Sequence, residues 1–260
     1  MSTLHYSKLK ITPESFRTAA ESRNLFRNFE AALGIGFVRY VRPSELPSFL
    51  ANQKNSRQDF HLKRLKPEKD ILADEDYFIT EVIEPSEKNV DSIGNVLSDD
   101  SSIRQVATQA MLEGRGQLTK VIPLVESQQK ALGFVYFLPI YRTAFVPASA
   151  EERKNQLFGC AYAPLLSSKI VDFVKAQNPE ALPFQIQELG MGQPDKIVYE
   201  SENYQSFLNQ GLPHLQKEVN MAGQRWKVSS VYAPYTYADI EVKSVLVGLI
   251  LSFGSLMFIS

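Results

Sequence analysis

An apolar run near the C-terminus constrains this chain more than any other feature. Val245–Ile259 reads VLVGLILSFGSLMFI, carries no charge and is interrupted only by two Gly and two Ser. As a helix it covers about 22 Å, against the ~30 Å hydrocarbon core of a bilayer, which takes about 20 residues to span. A buried core helix is the alternative, but a helix packed on a globular core normally keeps polar residues on one face. The run therefore reads as the start of a truncated transmembrane helix over residues 243–260, with Lys243 at its water-side edge. At the other end, Met1–Lys10 (MSTLHYSKLK) has no apolar stretch of the kind a signal peptide carries. A body that precedes a transmembrane helix needs an export element upstream if it lies outside the cell. Either that element is missing here or the body is cytoplasmic, and these residues alone leave both open.

Composition narrows the body ahead of this run. The 260 residues hold 28 Lys+Arg against 29 Asp+Glu, a formal charge of −1, so the basic excess that meets phosphates in a nucleic-acid binder is missing. A hydrophobic content of 44% suffices for a sizeable core and excludes wholesale disorder. One cysteine, Cys160, excludes an internal disulfide framework and a cysteine-based zinc site. His5, His61 and His214 are scattered, with no partner at metal-ligand spacing. No metal and no cofactor is called for.

The patterning predicts an α+β body. Thr12-Pro13-Glu14 is a helix start, with Thr as N-cap, Pro at the first helical position and an acid at the positive helix end. That helix runs towards Ala32 and stops at Gly34 and Gly36. Strands are predicted at Gly36–Val41, Asp59–Leu65, Tyr77–Ile83, Leu118–Val125, Leu132–Tyr141 and Gln156–Leu165. The stretch Leu132–Tyr141 (LGFVYFLPIY) is apolar on both faces and so central, and it forms a hairpin with Leu118–Val125. Ser101 and Ser102 cap a helix whose Ile103, Val106, Ala107, Ala110 and Met111 make one apolar stripe, closed by Gly114. Ser149 and Glu152 form a capping box. A smaller second unit follows, with a helix from Ser167, strands at Phe184–Leu189 and Lys196–Glu200, and a hairpin, Glu218–Met221 with Gln224–Tyr232, turning at Ala222-Gly223. The expected organisation is an N-terminal helix (12–33), a first unit (34–165), a second unit (166–235) and the membrane segment (243–260), with antiparallel sheets throughout.

Few residue groups suggest chemistry. Gly114-Arg115-Gly116 follows a helix and so cannot present a helix N-terminus to phosphate. The acid pairs Asp99-Asp100 and Glu84/Glu87 read as a solvated helix start and turn. Cys160, with no His near it in sequence, reads as a buried inert thiol. The aromatics Tyr77, Phe78, Tyr136, Phe137 and Tyr141 lie on strands, where they either pack the core or line a ligand pocket.

Six stretches then follow one another with matching order and spacing to one family. They are Gly34–Val41 (GIGFVRYV), Tyr77–Pro85 (YFITEVIEP) followed by Asn89, Gly94 through Gly114 with Gln117-Leu118-Thr119, Leu132–Tyr141, Pro147–Pro164, and Gly223-Gln224-Arg225-Trp226. Over about residues 12–233 the chain resembles the CHASE domain, the extracytoplasmic sensory module of bacterial histidine kinases and nucleotide cyclases and of the plant cytokinin receptors. The resemblance implies a long helix followed by two PAS-like units, the membrane-distal one binding a small-molecule ligand. It also implies flanking transmembrane helices, a homodimer in the inner membrane with residues 1–240 periplasmic, and a kinase or cyclase output domain outside this stretch. A membrane-anchored binding module without signalling output is the alternative. Aligned with the family's pocket strands are Tyr77, Val96, Leu118, Thr119, Gly133, Tyr136 and Phe137. Leu118 matches a Leu whose backbone hydrogen-bonds an adenine-type ligand in the plant members. The family Asp that grips the adenine falls at Val96, and this departure implies a less polar ligand, or one whose polar edge meets only the backbone at Leu118.

The apolar run carries its own test. The chain through Ser260 is expected to need detergent, and a version ending near Tyr235 to stay monodisperse without it. A longer form that is monodisperse without detergent in size-exclusion chromatography overturns the membrane reading.

Overall fold

The computed structural model describes residues 12–22, 31–64, 75–126, 129–177, 182–190 and 194–231. The apolar run and residues 23–30 of the helix expected to run towards Ala32 lie outside them, and among the described residues no helix is long and apolar enough to cross a membrane. The chain divides into two compact units. Among the described residues the first takes 12–22, 34–64, 75–117 and 135–163, and the second 31–33, 118–126, 129–134, 164–177, 182–190 and 194–231. The division is not a single cut along the chain, because residues 118–134 group with the second unit.

The first unit opens with α1 (Pro13–Ser22). Its start is capped as expected, the Ser15 N–H donating to the Thr12 hydroxyl at 3.1 Å. Strand β1 (Ile35–Val41) pairs antiparallel with β2 (Tyr77–Glu84), Tyr40 opposite Phe78. Between them, Pro43–Glu45 forms a 3-10 turn that leads into α2 (Leu46–Ser56). The far edge of β2 is covered by residues 94–96: the Thr80 N–H donates to the Asn95 carbonyl and the Gly94 N–H to the Thr80 carbonyl, at 3.0 and 2.9 Å. This cover protects an edge that would otherwise offer unpaired backbone groups. The alternation of Asp59–Leu65 does not give a strand; among the described residues of that stretch only Lys63 makes a bridge, to Asn95. Its apolar residues serve packing instead, Phe60 and Leu62 joining Val41, Tyr77, Ile79, Val96, Phe49 and Leu50 in one cluster.

After the short helix α3 (Ser86–Asn89) and two 3-10 turns comes α4 (Ser101–Glu113). Its five stripe residues, Ile103, Val106, Ala107, Ala110 and Met111, are all buried, and Gly114 closes it at φ 69°, a conformation that costs glycine nothing. The cap is Asp100, however, and not Ser101 or Ser102. The Asp100 carboxylate accepts from the Ser102 and Ile103 N–H groups at 2.8 and 3.1 Å, while both serines already sit inside the first turn. The acid pairs are likewise not simply solvated: Asp99 is buried against Arg64 at 2.7 Å, and Glu84 is buried with Arg17 at 3.1 Å. Strands β3 (Gln117–Leu118) and β4 (Ile122–Glu126) precede the long β5 (Gln129–Tyr141), which pairs antiparallel with β4. Helix α5 (Ala150–Gln156), opened by the expected Ser149/Glu152 capping box, leads into β6 (Leu157–Leu166). The strand order of this sheet is β2-β1-β6-β5-β3, with β4 also on β5.

The second unit continues with α6 (Ser167–Gln177) and a four-stranded sheet in the order β8-β7-β10-β9, from β7 (Phe184–Glu188), β8 (Lys196–Glu200), β9 (His214–Met221) and β10 (Gln224–Val231). The hairpin β9–β10 turns at Ala222 and Gly223, both at positive φ, which suits the twist of the flanking strands. Helix α7 (Tyr204–Asn209), buried through Tyr204, was not foreseen from the sequence.

The cap assignment predicts a difference between neighbours. Asp100→Ala is expected to lower stability by about 1 kcal/mol, and Ser101→Ala by less than about 0.5 kcal/mol. Urea unfolding of both variants measures it, and equal losses would contradict Asp100 as the cap.

Candidate functional site

The backbone alternation of β1 and β2 gives their sheet two faces, and the two are finished differently. On one face Val41, Tyr77 and Ile79 meet Val96 and the cluster described above, which α2 covers with Leu46, Phe49 and Leu50. On the opposite face Tyr40 and Phe78 lie ring to ring, with centroids 5.5 Å apart. There α4 and α5 leave a cavity of about 230 Å³, lined by Tyr40, Glu75, Asp76, Phe78, Arg104, Thr108, Met111, Leu112 and Lys154. Its floor is apolar and buried: Tyr40, Phe78 and Met111 are each at most 3% exposed. Its rim is charged. Arg104 forms an ion pair with Glu75, and Lys154 lies 4.0 Å from Asp76. The Tyr40 hydroxyl donates to Asp76 Oδ2 at 2.7 Å. Burial first, and then this bond to a carboxylate, raise the Tyr40 pKa far above the usual phenol value, so the hydroxyl stays a donor at every physiological pH.

The seven residues singled out from the sequence fall into three places, and none of them lines this cavity. Tyr77 and Val96 are brought together, inside the apolar cluster on the other face of β2. Tyr136 and Phe137 are successive on β5, so they point to opposite faces of the sheet. Phe137 is fully buried and stacks on Tyr162 at 6.2 Å, with the rings 17° from parallel. Tyr136 reaches over Gly116, where a Cβ would come within 1.8 Å of its hydroxyl. That hydroxyl is buried with no hydrogen-bond partner among the described residues, and burial raises its pKa.

Leu118, Thr119 and Gly133 belong to the second unit. Both backbone groups of Leu118 are engaged there: its N–H donates to the Ala222 carbonyl at 2.8 Å, and its carbonyl accepts from Gln224 Nε2 at 2.7 Å. A ligand hydrogen-bonding this backbone would have to displace the β9–β10 turn. Thr119 is fully buried. At Gly133 a Cβ would stand 2.3 Å from the Leu165 carbonyl oxygen, so this glycine serves close backbone packing rather than room for a ligand. Cys160 is fully buried, as expected of a structural thiol, and burial pushes its pKa up to about 12.

Sequence reasoning missed the cavity residues, although one signal for them is visible. Arg104, Thr108 and Leu112 lie at i, i+4 and i+8, a single row beside the buried stripe of α4. Asp76 and Phe78 flank the chosen Tyr77 and face the other way.

The CHASE domain family model matches residues 10–199, most of the chain. The chain belongs to the CHASE domain family. The match ends before the Gly223–Trp226 motif, so that part of the resemblance rests on the residues alone. CHASE domains are sensory rather than catalytic modules. No curated protein matches the chain in sequence. Among solved structures the chain is similar to a methyl-accepting chemotaxis protein X, at 10% identity over 87% of this chain and 83% of that one, with a TM-score of 0.44. It is also similar to the periplasmic sensory domain of the Campylobacter jejuni chemoreceptor Tlp1, at 11% identity over 86% and 81%, with a TM-score of 0.43.

The partnerless hydroxyl of Tyr136 has a measurable consequence. A buried donor left unpaired costs about 1–3 kcal/mol, so Tyr136→Phe is expected to unfold in urea at the same concentration as the parent or a higher one. A loss above about 1 kcal/mol would show that the hydroxyl holds a bound water or ligand.

Proposed function

We propose that this chain is the extracytoplasmic, small-molecule-sensing input domain of a membrane-bound signalling receptor, and that the ligand occupies the cavity between β1, β2, α4 and α5. Membership of the CHASE family supports the sensory role. The observation that carries the location is the cavity itself, with its apolar buried floor and charged rim in the first unit. Ligand sites are concave, largely apolar and furnished with a few convergent polar groups, and this cavity has that composition. In this reading the two units are PAS-like, the run from Val245 anchors the domain in the inner membrane, and the receptor signals as a homodimer through a kinase or cyclase domain elsewhere in the protein. Ligand binding shifts a two-state equilibrium by its differential affinity for the two states.

The experiment is a thermal-shift screen of the 260-residue chain in detergent against a library of small metabolites, repeated on Thr108→Phe. Thr108 is half-buried on the cavity wall, and the larger ring fills the space without a new charge. A ligand at a hundred times its Kd stabilises by about 2.7 kcal/mol. The parent is expected to show that shift and Thr108→Phe to lose it while still unfolding cooperatively. A hit that stabilises both proteins equally would place the ligand elsewhere.

A further inference from the structure

Resting on that cavity as the ligand site, we propose that its ligand is a small zwitterion bearing a short apolar substituent, the chemistry of an apolar α-amino acid. Three observations lead there. The volume, about 230 Å³, lies below the roughly 300–1,000 Å³ of sites for drug-sized molecules, so the occupant is small. The charged lining is two acids, Glu75 and Asp76, and two bases, Arg104 and Lys154, with no net charge. The polar and apolar groups are segregated: charges hold the rim, and Tyr40, Phe78 and Met111 make the floor.

The neutrality of the lining is what discriminates. A ligand with a single charge would leave that charge uncompensated in a partly desolvated site, and burying an unpaired charge is costly. A ligand without charge would have to separate existing ion pairs or leave them unused. A zwitterion does neither. Its carboxylate joins Arg104 and Lys154, its ammonium joins Glu75 and Asp76, and the two ion pairs and the ligand become one cluster of six charges, three of each sign, with every charge still compensated. Arg104 suits the carboxylate because its planar guanidinium offers paired N–H donors. The Asp76 carboxylate is oriented by the Tyr40 hydroxyl at 2.7 Å, which leaves its other oxygen to accept from an ammonium. The ligand's substituent then points away from the rim and covers Phe78 and Met111. A cavity among the described residues of the second unit, lined by Phe134, Ile170, Val171, Ile186 and Trp226 among others, carries no charged group and so lacks this arrangement.

The test uses Thr108→Cys in the full chain. Its thiol lies on the cavity wall, whereas the native Cys160 is fully buried with its pKa pushed up to about 12 and stays unlabelled. The rate of labelling by a thiol reagent is measured with L-valine, L-leucine, L-isoleucine, L-methionine and L-phenylalanine. It is measured again with isobutylamine and isoamylamine, which lack the carboxylate, with isovaleric acid, which lacks the ammonium, and with a broad mixture of uncharged metabolites. At least one amino acid is expected to slow labelling ten-fold or more, with the amines and the acid having less than two-fold effect. Lys154→Met in the same background is expected to weaken that protection about ten-fold. Protection by an amine, the acid or an uncharged compound, without protection by any amino acid, would overturn the zwitterion and leave the cavity standing as the ligand site. Protection by none of the compounds would overturn the cavity as the site.

Discussion

Strand β2 is buried along its whole length, on both faces, and the first unit is arranged around that constraint. A strand with no solvated side must find a layer on each face and a partner on each edge. One edge takes β1, and the other takes the short segment 94–96 with its backbone bonds to Thr80. One face takes α2 and the apolar cluster, and the other takes α4. The strand also buries an acid, Glu81. The charge is tolerated because Arg39 bonds one carboxylate oxygen at 2.8 Å and Gln53 the other at 2.6 Å, so neither is left without a donor. Arg39 in turn lies over the Phe158 ring at 3.7 Å, which ties this charged group to the neighbouring strand β6. At its C-terminal end, β2 holds α1 through Glu84, which accepts from Arg17 and from the Ser86 N–H.

The two faces differ because their cover differs in shape. Helix α2 presents Leu46, Phe49 and Leu50, which fill the space over Tyr77, Ile79 and Val96. Helix α4 presents a narrower stripe that includes Ala107 and Ala110, with Thr108 at its margin. Small residues bring a helix close without filling the space to its side, and the cavity lies at that side. The same chemistry that closes the α4 core therefore leaves room beside it.

Much of this was legible in the residues. The α4 stripe, the Gly114 cap, the capping box at Ser149 and the positive-φ turn at Ala222-Gly223 follow from local rules with a single physical solution. The failures share a different cause. Asp59–Leu65 alternates, but alternation shows only that one side is buried; whether a strand forms depends on a partner that lies far away in sequence. In Ser98-Asp99-Asp100-Ser101-Ser102 every residue is a possible cap, and the tertiary pairing of Asp99 with Arg64 decides that Asp100 takes the role. Leu118 could be matched to a binding strand, but its engagement by Ala222 and Gln224 is a contact over 100 residues apart in the chain, which no local pattern reveals.

The cavity was missed for a narrower reason, which concerns how strand residues are read. Aromatic side chains mark a strand as important without saying which of its faces is open. On β2 the aromatic pair Tyr77 and Phe78 occupies both faces, and only their surroundings tell them apart: Tyr77 meets a filled cluster, and Phe78 meets a void. The charged residues would have decided it. Asp76 has the same parity as Phe78, and Arg104 and Thr108 share a row on α4. A carboxylate at the start of an otherwise buried strand and a guanidinium beside an apolar helix stripe both need compensation. The opening they surround joins an apolar floor to charges at its mouth, and the row on α4 and the parity along β2 together mark it.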